Sequence, residues 1–147
     1  MGAVSPGHAR ALLARAALVA VGGALGTTAR AVLENAAPAV VGAWPWTTFV
    51  INVVGSFALG ALLETLTRSG PDEGWRRSVR LGCGTGVLGG FTTYSTFVLE
   101  VQRLLAGADV GTGVAYALVS VIVGIGAALL GIAAARRLGG NASGGTS

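Results

Sequence analysis

Charged side chains are scarce in this sequence, at 11%, where a soluble domain carries about 25%. Lysine is absent, so the net charge of +4 rests on arginine alone. The arginines sit at the ends of apolar runs. That pattern suits anchoring against anionic lipid and argues against nucleic-acid binding, which needs a basic patch on a folded face. Cys83 is the single cysteine, which excludes an intrachain disulfide and a cysteine-rich metal site. His8 is the single histidine and lies in the polar N-terminal stretch. Ser/His hydrolysis and histidine-ligated metal catalysis are therefore excluded, and no enzyme is expected.

Apolar residues fill what remains, at 52% with a mean hydropathy of +0.71. Four runs are long enough for the ~20 residues a bilayer crossing needs, over about 16–33, 46–64, 81–100 and 110–135. The sequence thus predicts an all-α integral membrane protein of four transmembrane helices. An N-terminal tail (1–14) precedes the membrane domain (15–137), and a Gly/Ser tail (138–147) is expected to be disordered. A secretory signal is rejected, because the first run is long for one and carries Arg30 at its far end.

The third run is the unusual one. Gly82, Gly84, Gly86, Gly89 and Gly90 each cost a helix interior about 1 kcal/mol relative to alanine. Thr92, Thr93, Ser95 and Thr96 follow, and their hydroxyls compete for backbone hydrogen bonds. A helix broken near Gly89–Thr92 is expected. It frees carbonyls at membrane depth, where they are tolerated only inside protein, at a cavity or on an ion. In the second run, Thr48, Asn52, Ser56 and Gly60 recur every four residues and share a face. Asn52 at mid-span stands out, since its two amide donors need partners in hydrocarbon. In the last run, Tyr116, Ser120 and Gly124 stack likewise. Gly22, Gly26 and Arg30 form a third such stripe; close helix packing explains the two glycines.

Gly84–Gly89 also matches the dinucleotide pattern G-x-G-x-x-G, with Asp109 about twenty residues on. Its flanks are membrane span rather than a βαβ unit, so the match is read as accidental. Glu34, Glu64 and Glu100 all fall at span ends, which speaks against a small four-helix multidrug antiporter, a class that needs an embedded coupling carboxylate.

Three motifs carry a more specific likeness: GGALGTTAR at 22–30, TTFVINVVGSFALG at 47–60 and GVLGGFTTYSTF at 86–97. Together they resemble the Fluc (CrcB) family of fluoride channels, over about Gly22 to Ala135. The resemblance implies an antiparallel dimer of four-helix subunits with two pores and a structural sodium, not transported, at its centre. The sodium's main-chain carbonyl ligands fall on Gly89 and Thr92. The fluoride pathway falls on Asn52, Thr48, Tyr94, Phe97, Tyr116 and Ser120, with Arg30 near a vestibule. Tyr94 departs from the family's more usual Phe, and Gly124 from a hydroxyl residue. Passive exit of fluoride through a cell-membrane channel, relieving fluoride toxicity, is the implied function.

Arginine placement adds an expectation about orientation. With four spans, Arg10, Arg15, Arg68, Arg76, Arg77, Arg80, Arg136 and Arg137 fall on one side, and only Arg30 and Arg103 on the other. Arginine in short loops sets orientation, so both termini are expected in the cytoplasm. Such bias suggests pairing with an oppositely oriented paralogue, a self-paired dual-topology dimer being the alternative.

Overall fold

The computed structural model describes residues 6–107 and 110–141. Among them the chain is helical and contains no strand, so the dinucleotide pattern has no β-strand to follow; Asp109 lies outside the described residues. The elements are α1 (Pro6–Ala36), α2 (Trp46–Ser69), α3 (Gly74–Val79), a π-helical segment (Arg80–Leu88), α4 (Gly89–Phe91), α5 (Tyr94–Ala106) and α6 (Val110–Asn141). Both outer helices overrun the spans read from sequence. α1 starts inside the stretch read as an N-terminal tail, and α6 runs into the stretch read as a Gly/Ser tail.

α1, α2 and α6 are each long and apolar enough to cross a membrane unaided. The fourth crossing is the interrupted run from α3 to α5. Its course is set by its neighbours on α2, met in reverse order. Gly84 lies against Leu59 and Leu62, Thr92 against Gly55, Thr93 against Asn52, and Glu100 against Thr48. At 1.5 Å per residue, the stretch of α2 from Thr48 to Leu62 is about 21 Å long, so the run crosses most of a ~30 Å hydrocarbon layer despite its break.

Glycine permits the two closest seams. A Cβ on Gly22 would strike the Gly82 carbonyl, and one on Gly26 would strike the Val87 carbonyl. A Cβ on Gly90 would strike the Gly23 carbonyl. α1 therefore lies backbone-to-backbone against the π segment and α4. Gly60 and Gly131 do the same between α2 and α6, the first against Ala128 and the second against Phe57. With lipid tails as apolar as the side chains, such close contact supplies the dispersion that holds spans together. The widened π turns fall where three buried glycines alternate, at Gly82, Gly84 and Gly86, and π-helical turns recur at functional positions.

The two ends of the bundle differ in charge. Arg15, Arg77, Arg80 and Asp72 line one groove at the end where α1 begins. There Glu64 also meets Arg136 at 2.9 Å, and Arg68 lies beside Gly139. Arg30 and Arg103 lie at the other end, with Glu34 and Glu100.

Candidate functional site

Leu88 is the last residue before the break whose carbonyl accepts a backbone hydrogen bond. It receives the Thr92 N–H at 3.0 Å and the Thr92 hydroxyl at 2.9 Å. Thr92 and Thr93 are then extended, at ψ 155° and 122°, and α5 starts at Tyr94. The break therefore lies at Thr92–Thr93, at the C-terminal edge of the window expected from sequence. Gly89 is still helical. The hydroxyls decide the position: Thr93 caps α5 by accepting the Thr96 N–H at 3.1 Å, an N-cap contact worth about 1 kcal/mol.

Four carbonyls, at residues 89–92, have lost their helical partners. That of Gly90 is taken by the Arg30 Nε–H at 3.3 Å and the Thr27 hydroxyl at 3.4 Å. Among the described residues, no observed hydrogen bond ends on the carbonyl of Gly89, which is exposed, or of Thr92, which is half-buried. The same residues hold no His, Cys, Asp or Glu cluster that could bind a metal. Any hard cation at the break would rely on main-chain oxygen, which suits such an ion.

Asn52 closes the break from α2. Its Oδ1 accepts the Thr93 N–H at 2.9 Å and its Nδ2 donates to the Thr93 carbonyl at 3.0 Å. The side chain stands in for the backbone neighbour that the interrupted helix lacks. An amide nitrogen carries two N–H groups, so one is left over. Asn52 borders a groove of about 300 Å³, with Ser56, Thr92, Tyr94, Phe97 and Ser120 among its lining. No charged residue lines it. The Ser120 hydroxyl is buried beside Tyr116, one turn earlier on α6. Tyr94 is 80% exposed, with its ring 6.3 Å from that of Phe97.

The structure thus gathers Asn52, Tyr94, Phe97 and Ser120, and separates the other sequence candidates from them. Thr48 and Tyr116 are 2% and 0% exposed and converge elsewhere. Each donates its hydroxyl hydrogen to a different oxygen of Glu100, both at 2.7 Å. Phe97 bridges the two places, its ring 5.4 Å from Tyr116. Arg30 stands apart again, between the Gly90 carbonyl and both oxygens of Glu34, at 3.2 and 3.1 Å.

Glu100 lies near an end of the bundle, as its place in the sequence suggested, yet its carboxylate is buried. It is 7% exposed and packed between α2 and α6. Its register carried a signal, because it follows Thr93 and Thr96 by seven and four residues, on the hydroxyl face of α5. The role of Thr93 was likewise legible as Thr-x-x-Thr at a helix start. Trp44 packs edge-on against Tyr116 at 5.2 Å, whereas Trp46, two residues on, is 64% exposed.

A family profile described as CrcB-like protein, Camphor Resistance (CrcB), matches residues 17–132. The chain belongs to the CrcB family. A relative from Leifsonia xyli subsp. xyli, named fluoride-specific ion channel FluC 2, is 53% identical over 90% of this chain and 88% of its own length. One from Cutibacterium acnes, fluoride-specific ion channel FluC 1, is 50% identical over 81% of this chain and 83% of its own. A third, fluoride-specific ion channel FluC from Novosphingobium aromaticivorans, is 43% identical over 82% and 94%. The stretch shared with the CrcB profile contains the break, the Asn52 groove and the Glu100 cluster.

Proposed function

We propose that this CrcB-family chain forms a passive, fluoride-specific channel that lets fluoride leave the cell and so relieves its toxicity. One observation carries the reading: the groove beside the helix break is lined by Asn52, hydroxyl side chains and the rings of Tyr94 and Phe97, with no carboxylate among the described residues. Fluoride is small and tightly hydrated, so passage requires protein groups to replace its water. Among the described residues the second Asn52 N–H has no acceptor, and Ser120 lines the same groove with its hydroxyl beside Tyr116. Tyr94 and Phe97 line the same groove, and an anion there would favour the electropositive edges of their rings. Several weak sites suit conduction, since the ion must also leave. Thr48 and Tyr116, engaged by Glu100, reach fluoride only when those hydroxyls turn away from the carboxylate. Names of relatives at 53% and 50% identity support the same substrate.

The exposed Tyr94 also supports the expected antiparallel dimer with two pores. A phenol at membrane depth gains a partner for its hydroxyl when a second subunit covers it. At the centre of such a dimer, Gly89 and Thr92 would hold a structural sodium by their main-chain carbonyls. The ion would neutralise carbonyls otherwise unsatisfied in hydrocarbon, which cost several kcal/mol each.

Reconstituted in liposomes, the protein with its proper partner passes fluoride down its gradient and largely excludes chloride. Comparable fluxes of the two ions, or transport that requires a proton gradient, overturn the channel reading; the latter would point to an antiporter using Glu100. For the metal, anomalous scattering from a heavier monovalent cation soaked into crystals is expected beside Gly89 and Thr92, and a featureless map there removes the site.

The sorting of arginines to one end of the bundle supports insertion with both termini cytoplasmic, in partnership with an oppositely oriented paralogue. C-terminal reporter fusions are expected to signal from the cytoplasmic side alone. Comparable signal from both sides establishes a dual-topology homodimer in its place.

A further inference from the structure

At the arginine-rich end, α1 and the start of the broken run form an open groove that shares no residue with the one beside Asn52. α1 contributes Leu12, Arg15, Ala16, Val19 and Ala20, and the facing run contributes Arg77, Arg80 and Leu81, with Asp72 from the preceding loop. The helices run side by side in the same direction, Leu18 against Gly82 and Gly22 against Gly86. That register puts Arg15 level with the turn holding Arg77 and Arg80, and puts Val19 and Ala20 a turn deeper, with Leu81. Basic groups therefore crown a trough whose floor is apolar, with Val19 and Leu81 half-buried and Ala20 exposed.

Three arginines and one carboxylate line this groove, and two of the arginines contact the carboxylate. Asp72 is held by Arg80 at 3.0 and 2.7 Å, and its backbone carbonyl by the Arg77 Nε–H at 2.9 Å. The hydrogen bond from Arg80 lowers the Asp72 carboxyl below its ordinary range, so it is ionised at neutral pH. Two positive charges remain unmatched. Arg77 and Arg80 are held in place by the Asp72 loop, while Arg15 is exposed on α1.

We infer that this groove binds an anionic phospholipid, its headgroup phosphate on Arg15, Arg77 and Arg80 and one acyl chain in the trough floored by Val19, Ala20 and Leu81. The charge on the crown complements a phosphate diester, guanidinium matches its oxygens in a bidentate fork, and the apolar floor lies on the membrane side of the crown.

The test is lipid retention by the purified protein, read by native mass spectrometry against phosphatidylglycerol and phosphatidylcholine, with thermal unfolding in parallel. The intact chain is expected to retain phosphatidylglycerol preferentially and to unfold at a higher temperature in its presence. Each arginine near a membrane surface contributes about fivefold to anionic-lipid binding, so the double variant R15Q/R77Q is expected to lose about 30-fold. R137Q, at the same end but outside the groove, should keep the preference. Inorganic phosphate should give no protection; protection equal to that of the lipid assigns the groove to a free anion and overturns the inference. Equal retention of the two lipids by the unaltered protein overturns it without recourse to any variant, as does undiminished retention by R15Q/R77Q.

Discussion

Asn52→Asp is expected to abolish fluoride flux. The aspartate keeps an acceptor for the Thr93 N–H but replaces the Nδ2 donor with an oxygen facing the Thr93 carbonyl, 3.0 Å away in the parent. It also places a full negative charge on the wall of the groove. At about 4 Å and an effective dielectric near 20, like charges repel by about 4 kcal/mol, close to a 1,000-fold loss of anion passage. Fluoride-electrode measurements of efflux from liposomes check this, and a rate within about tenfold of the parent would remove Asn52 from the path. Asn52→Ala separates the two contributions. It deletes both clamps on Thr93, each worth about 1 kcal/mol, without adding charge, so its main effect is expected on thermal stability.

The second large effect lies at the seam between α1 and the interrupted run. A side chain on Gly26 meets the Val87 carbonyl and, at 2.8 Å, the Phe91 nitrogen. These are backbone atoms that no rotamer change can move aside. Gly26→Val is expected to destabilise by about 3 kcal/mol, the upper end of the overpacking range. It also pushes α4, and with it the break, away from Arg30, so flux falls with stability. Gly23→Ala is the matched control, because its Cβ meets nothing nearer than the Gly86 carbonyl at 4.0 Å. No loss of stability is expected there, and a gain of up to about 1 kcal/mol follows from replacing a glycine inside a helix. Thermal unfolding in detergent compares the two, and equal melting temperatures would mean the seam does not hold the run in place.

Much was legible from composition and spacing. Few charges, four apolar runs and small residues every four positions specify a packed membrane bundle, because lipid demands internally satisfied backbone and close helix contact. The glycine-rich third run announced its own interruption for the same reason: glycine and hydroxyl residues weaken a helix locally, whatever surrounds it. The three motifs pointed to the family that the CrcB profile then matched over residues 17–132.

Tertiary structure decided where the interruption falls and what the polar residues do there. Threonines occupy both 92 and 93, and only the approach of Asn52 from α2 selects Thr93 as the residue clamped on both its N–H and its carbonyl. Glu100 looked peripheral because position along a span does not reveal burial. α2 and α6 enclose it, and the hydroxyls of Thr48 and Tyr116 occupy its two oxygens. Arg30, expected near a vestibule, is engaged by Glu34 and the Gly90 carbonyl, which only the fold brings to it. Helix periodicity is local and can be read along one segment, whereas the partner of a polar group in hydrocarbon is chosen by which other segment packs against it.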